Sequence, residues 1–300
     1  MIVKPKSTTI AWRLVPVLII FKLPLFAQGV DLEKQTWIHG SLNCSQNKDE
    51  GLQVVKYNEA TYLLRQNKCL HYEAPFIYLF IGSEKAVLID TGAEAQDQLF
   101  PLYETVKKIL TGKNGKVLPL VVIHSHGHSD HHSGDHQFNN KAGVQVVPPT
   151  KDAIVQFFQL RNWPDDEANF NLGQRELTII PIPGHDLMSI AIYDPQTQWL
   201  LTGDTVYPGR LYVRDVHAFC SSITRLKRFS NTHPVKHLMG THIEMTKTKG
   251  VDYPMGTTYQ PEEHSLPLGV RVLDEISVAC ERIRQKFVRE IYDYFIIVPK

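Results

Sequence analysis

Apolar residues in this chain recur with two periods, and the period switches several times along its length. From residue 53 they come as two-residue alternation and short unbroken runs, which predicts strands at 54–55, 60–64, 76–81 and 86–89. From Pro101, a favourable first residue for a helix, Leu102, Val106, Ile109 and Leu110 fall on one helical face, and the pattern stops at Gly112. The run 118–123 is apolar throughout, as expected of a strand buried on both faces. A further strand is expected at 144–147, and Thr150 stands where it can cap a helix that turns Ile154, Phe157 and Phe158 inward. Residues 161–171, with Trp163-Pro164, read as a loop between the halves.

The second half repeats the plan, with strands at 177–182, 189–193 and 199–201, a helix carrying Ile223, Leu226 and Phe229, and a strand at 235–239. Residues 246–264 are rich in Thr, Gly, Pro and Tyr and read as a long loop. Leu273, Ile276, Cys280, Ile283, Phe287 and Ile291 form one stripe of a C-terminal helix over about 268–292. Strands then helices, twice over, suit two sheets packed face to face with helices outside: an α/β (α+β) chain in a four-layer αββα sandwich.

Chemistry gathers at the ends of the predicted strands. The strand ending at Ile123 runs into His124-Ser125-His126-Gly127-His128-Ser129-Asp130-His131-His132. Loops past strand ends are where reactive groups are commonly mounted, and imidazole and carboxylate are ligands for zinc and similar cations. In an extended backbone, His126 and His128 point to one side. Later strands end at Pro183-Gly184-His185, Thr202-Gly203-Asp204-Thr205 and Met239-Gly240-Thr241-His242, each placing one potential ligand beside a glycine. His124, His132, His136 and Asp135 are expected to hydrogen-bond or face solvent, and His217, His233 and His237 carry no motif.

The N-terminus stands apart. Lys4, Lys6 and Arg13 precede a short apolar stretch interrupted by Pro16, Lys22 and Pro24, with a small residue at Ala27, as in a secretory signal of residues 1–27 ahead of a single domain over 28–300. If the signal stays uncleaved, it is the chain's expected membrane contact. Residues 1–27 carry four basic side chains and no acidic one, so their removal takes the formal charge from +1 to −3. A mildly acidic chain with no basic stripe is a poor fit to nucleic acid. Export permits disulfides among Cys44, Cys69, Cys220 and Cys280. Cys44 with Cys69 is the local candidate, and Cys280, on an apolar stripe, reads as a buried free thiol.

The sequence resembles the metallo-β-lactamase superfamily of metallohydrolases, whose central motif His-x-His-x-Asp-His is met by His126, His128, Asp130 and His131. His185, Asp204, His242 and the earlier Asp90-Thr91-Gly92 match its other elements in order, over about residues 50–245. The resemblance implies an αββα sandwich with metal between the loops of one edge. It implies that His126, His128 and His185 hold one cation, that Asp130, His131 and His242 hold a second, and that Asp204 bridges them, with Asp90 orienting a ligand imidazole. Two Zn2+ are implied, with Fe or Mn as alternatives, and Asp130 and Asp204 belong to the catalytic set. True β-lactamases of the family generally have Cys or Ser where this chain has Asp204, whereas Asp marks thioesterase, lactonase and phosphodiesterase branches. The expected function is therefore an exported (periplasmic or extracellular) hydrolase that uses a metal-bridging hydroxide on a small-molecule ester or lactone. Alternatives are a β-lactam or phosphodiester hydrolase, or a mononuclear-iron persulfide dioxygenase. Oligomeric state is left open.

Overall fold

The computed structural model describes residues 1–2, 30–112 and 115–300. The expected secretory signal therefore lies, but for its first two residues, outside the described residues. Among the latter no helix is long and apolar enough to cross a membrane.

The first sheet takes its strands in sequence order: β1 (Leu52–Asn58), β2 (Thr61–Gln66), β3 (Phe76–Ile81), β4 (Ala86–Ile89), β5 (Leu120–Ile123) and β6 (Val144–Val146). The pairing is antiparallel up to β4 and parallel from β4 to β6, with α1 (Leu102–Leu110) as the crossover from β4 to β5. α2 (Lys151–Phe158) follows, capped by the Thr150 hydroxyl, which accepts from Ala153 N. The second sheet is built from β7 (Ala168–Asn171), β8 (Glu176–Pro181), β9 (Ile190–Asp194) and β10 (Trp199–Gly203). Chain order is then broken by β11 (Arg210–Val213) and α3 (Val216–Thr232) before β12 (His237–Gly240) and β13 (Pro267–Leu268) complete it. α4 (Val272–Ile283) leads to β14 (Glu290–Ile291) and β15 (Ile296–Pro299), and β15 lies between β11 and β14 in a small third sheet.

Side-chain alternation sorts the buried residues into three interfaces and thereby fixes the layers. Val87, Ile89, Val121 and Ile123 of the first sheet meet Ile179, Ile190, Ile192 and Trp199 of the second in the central core. Their neighbours Leu88, Leu120 and Val122 face the other way and pack with Leu102, Val106 and Leu110 of α1. On the far side, Ile180, Ala191, Tyr193 and Leu200 pack with Phe219, Ile223 and Leu226 of α3 and with Leu273, Ile276 and Ile283 of α4. The expected αββα order is thus present. Arg175 ties the two sheets at one margin, since its guanidinium binds Asp194 of β9 and also the Thr61 hydroxyl and Ala60 carbonyl of the first sheet.

Three expectations fail. The stretch 161–171 is not all loop, because 168–171 forms β7, paired antiparallel with β8. The C-terminal helix spans Val272–Ile283 rather than 268–292, and the chain then turns back as β14 and β15. The apolar stripe continues numerically to Ile291, but Ile291 is exposed, while the run Phe295-Ile296-Ile297 is buried by pairing with β11. Period alone did not separate the end of a helix from the start of an apolar strand. Cys280 is not a free thiol. It bonds Cys220, because α4 lies against α3 and brings the two Cα atoms to 5.6 Å. Cys44 and Cys69 form the other bridge, as expected from their proximity, and no cysteine is free.

Candidate metal centre

Strand ends of both sheets meet at one edge of the sandwich, and each delivers one part of the cluster. β5 leads to His126, His128, Asp130 and His131. β8 leads to His185, β10 to Asp204 and β12 to His242. Glycine makes two of these approaches feasible. Gly184 has φ +140°, and a Cβ there would stand 2.4 Å from Phe219 Cα, so only glycine lets the start of α3 pack beside His185. Gly203 has φ +51° and sits against Ser125, which brings Asp204 next to the histidine loop.

All seven side chains converge, in two groups that share Asp204. Ligand-type atoms of His126, His128, His185 and Asp204 lie within 4.8 Å of one another, and so do those of Asp130, His131, Asp204 and His242. The shared carboxylate divides its oxygens. Asp204 Oδ2 is 3.7 Å from both His126 Nε2 and His185 Nε2, whereas Oδ1 is 3.7 Å from His131 Nε2 and 3.4 Å from His242 Nε2. Asp130 Oδ2 is 3.2 Å from His131 Nε2 and 3.4 Å from His242 Nε2.

Hydrogen bonds on the outer ring nitrogens fix which inner nitrogens carry lone pairs. A carbonyl only accepts, so His185 Nδ1 donates to Tyr212 O (2.8 Å) and His242 Nδ1 donates to Glu73 O (2.9 Å). His131 Nδ1 donates to Asp90 Oδ2 (2.9 Å). Ser125 Oγ spends its one proton on Asp90 Oδ2 (2.9 Å) and so accepts from His126 Nδ1 (3.1 Å). In their neutral forms, four imidazoles therefore turn a bare Nε2 inward. His126 Nε2 and His185 Nε2 lie 2.9 and 3.0 Å from His128 Nδ1, which has at most one proton for the two of them. His131 Nε2 and His242 Nε2 face each other at 3.3 Å, among carboxylate oxygens and with no proton between them when both rings are neutral. Lone pairs crowded on lone pairs in a buried site call for a cation, and imidazole with carboxylate is a donor set suited to zinc, iron or manganese. The residues present fit a two-cation centre.

The electrostatics agree. Burial, then the charge of neighbouring His131, holds His126 well below the usual histidine range. Burial likewise lowers His128, and it pushes His185 down to about 4. Burial also opposes charge on His131 and His242. For His131 the carboxylates of Asp130, Asp90 and Asp204 overcome it and hold the ring well above its usual value, and for His242 Asp204 and Asp130 raise it to about 9. Asp130 and Asp204 remain ionised far into acid, because the adjacent imidazoles outweigh desolvation.

Asp90, at the end of β4 with φ +69°, is fully buried. Besides His131 it accepts from Ser125 N (2.7 Å), so one carboxylate braces both the tautomer of His131 and the start of the histidine loop. The remaining histidines divide as expected. His124 Nε2 bonds Asp135 Oδ1 (2.8 Å), whose carboxylate also accepts from the Thr91 hydroxyl (2.8 Å), and His136 pairs with Asp97 at the surface. Sequence reasoning gave no role to Thr241, whose hydroxyl donates to Asp204 Oδ1, or to the carbonyls of Tyr212 and Glu73. Thr241 was discoverable as the hydroxyl between Gly240 and His242. The carbonyls carry no sequence signal, because any residue supplies one.

Comparison with known proteins bears on the same residues. The family model described as the metallo-beta-lactamase superfamily matches residues 73–261. The acyl-coenzyme A thioesterase MBLAC2 of Bos taurus is 28% identical over 165 residues, covering 45% of this chain and 59% of the relative. A hydroxyacylglutathione hydrolase of Anaeromyxobacter dehalogenans is 31% identical over 178 residues, covering 53% of this chain and 60% of the relative. The chain thus spans about three fifths of the curated relatives it matches. In fold it is similar to a metallo-beta-lactamase from Pontibacter korlensis, with a TM-score of 0.52 and 21% identity over 77% of this chain and 99% of that one. The matched span runs from the loop before β3 through His242 and takes in every residue of the cluster, so the chain belongs to the metallo-beta-lactamase superfamily.

Proposed function

We propose that the chain is a two-cation hydrolase of small acyl esters and lactones, with thioesters included, and that zinc is its metal. The observation that carries this reading is the division of Asp204, one oxygen beside His126 and His185 of the three-imidazole group and the other beside His131 and His242 of the Asp130 group. His126, His128 and His185 would hold one cation and Asp130, His131 and His242 the other. Cations so held would supply an activated water and polarise the substrate carbonyl. Around them Asp90 keeps His131 in the tautomer that offers Nε2, while Tyr212 O and Glu73 O do the same for His185 and His242. The Thr241 hydroxyl steadies Asp204. The names of the relatives, a thioesterase and a hydroxyacylglutathione hydrolase, support an acyl bond and add thioesters to the esters and lactones expected from the sequence.

The test is a substrate panel of esters, lactones, thioesters, β-lactams and phosphodiesters, run on protein purified without chelator. Turnover of an acyl ester or thioester that chelation abolishes and zinc restores is expected. Activity confined to β-lactams or phosphodiesters, or oxygen-dependent persulfide consumption with iron, would replace this reading.

Export is part of the proposal. Both cysteine pairs are bridged, and such bridges persist in oxidising compartments. Protein recovered outside the cytoplasm is expected to begin near Gln28. Recovery of full-length reduced chain from the cytoplasm alone would reject export. Cys220→Ser is expected to lower stability by about 2–4 kcal/mol in denaturant titration, since its partner lies 60 residues away in sequence.

A further inference from the structure

The link from β11 to α3 is fastened to the cluster by its backbone. Tyr212 O receives His185 Nδ1, and Gly184 O accepts from both Arg214 N (3.0 Å) and Asp215 N (3.1 Å). Arg214 is thereby rooted beside His185 while its side chain is exposed to solvent.

The carboxylates next in sequence to Arg214 and His185 each turn one oxygen to backbone amides. Asp215 caps α3, accepting from His217 N and Ala218 N. Asp186 Oδ1 accepts from Met188 N and Gly127 N. Arg210, four residues back, shows the contrast: its guanidinium donates to Glu244, Asp252, the Tyr212 hydroxyl and the Tyr253 carbonyl. Among the described residues, the Arg214 guanidinium forms neither a hydrogen bond nor an ion pair. Leu187, two residues past His185, adds an exposed apolar side chain. An unpaired guanidinium beside an acyl-cleaving centre offers a planar fork of donors matched to carboxylate or phosphate oxygens.

We propose that Arg214 binds an oxyanion of the substrate, a carboxylate or a phosphate lying beyond the scissile acyl bond, and so selects negatively charged esters or thioesters. The inference rests on the hydrolase reading above. Two matched pairs of substrates test it: p-nitrophenyl butyrate against mono-p-nitrophenyl succinate, for a carboxylate on the acyl side, and acetyl-pantetheine against acetyl-phosphopantetheine, for a phosphate on the leaving group. Arg214→Gln is expected to raise the ratio of KM values, charged over neutral, about tenfold in one pair or both, a loss of roughly 1.4 kcal/mol. Arg214→Lys should recover part of it, and metal content should stay at the wild-type level. A second readout needs no turnover: in chelator-treated protein, succinate or phosphopantetheine should shield Arg214 from an arginine-selective dicarbonyl reagent, as read by peptide mass spectrometry. Equal KM changes on both members of each pair, or no change together with no shielding, would overturn the assignment of Arg214. A wild-type protein that turns over none of these four and no other ester, lactone or thioester of the panel would instead overturn the hydrolase reading and this inference with it.

Discussion

Beside Asp204 Oδ2 stand His126 and His185, with His128 bridging them, and beside Asp204 Oδ1 stand His131 and His242, which also meet the carboxylate of Asp130, with Asp90 directly behind His131. The two groups share a residue and a burial depth, but their electrostatics run in opposite directions. In the first, burial wins, and the rings stay neutral down to about 4 at His185. In the second, carboxylates win, and His242 keeps its proton up to about 9. The first group thus offers lone pairs almost without charge, whereas the second concentrates negative charge that a metal-free protein satisfies with protons. The lesson is that one half depends chiefly on geometry and the other on electrostatic demand for a cation.

The largest expected effect breaks the comparison by removing what the halves share. Asp204→Ala should strip both cations and reduce activity by more than about 100-fold, beyond the usual cost of losing a ligand's hydrogen-bond partner. Retention of two cations per chain in this variant, by metal analysis, would show that Asp204 bridges nothing.

Next in size are changes confined to one half. His185→Ala and His242→Ala should each leave one cation per chain, held by the opposite group. Both variants losing both cations equally would mean that the groups act as a unit and the distinction fails. Asp90→Asn is milder, because the amide oxygen still accepts from Ser125 N while the negative charge behind His131 is gone. It should weaken the second half's affinity by about 10–100-fold and spare the first, as read by competition with a chromophoric chelator.

The smallest effect is on pH dependence, and its sign differs between the halves. A raised pKa means that the proton is bound below that value, so a cation entering the second half displaces it, and apparent affinity there should climb with pH up to about 9. His185 has a lowered pKa, so first-half affinity should be flat through neutrality and decline only as pH approaches about 4. Histidine titration of metal-free protein by NMR reads both; two sets of imidazoles titrating together near their ordinary value would erase the contrast.

What was legible in the sequence follows a physical division. The seven converging side chains could be named because strand ends are set by apolar runs such as 118–123, and the residues just past them are fixed by chain order. The layers were legible for the same reason: Leu88 and Val122 face away from Val87 and Val121 by alternation alone. What lay hidden depends on packing between distant segments. Cys220 meets Cys280 only because α3 lies on α4. β11 is short, preceded by Pro208-Gly209 and followed by Arg214-Asp215, and it becomes a strand only when β15 pairs with it. β7 reads as loop because Ala168-Asn169-Phe170-Asn171 has poor strand formers, yet β8 holds it. The open guanidinium of Arg214 could not be read in advance, since whether a charged side chain finds a partner depends on which segments pack around it.

The most direct measurement is the metal content of the purified wild-type chain, by native and elemental mass spectrometry, without chelator or added metal. The shared Asp204 predicts two divalent cations per chain, zinc foremost, with chelation releasing both and abolishing hydrolysis. A single iron per chain, or a metal-free protein that hydrolyses the same substrates, would contradict the two-cation account.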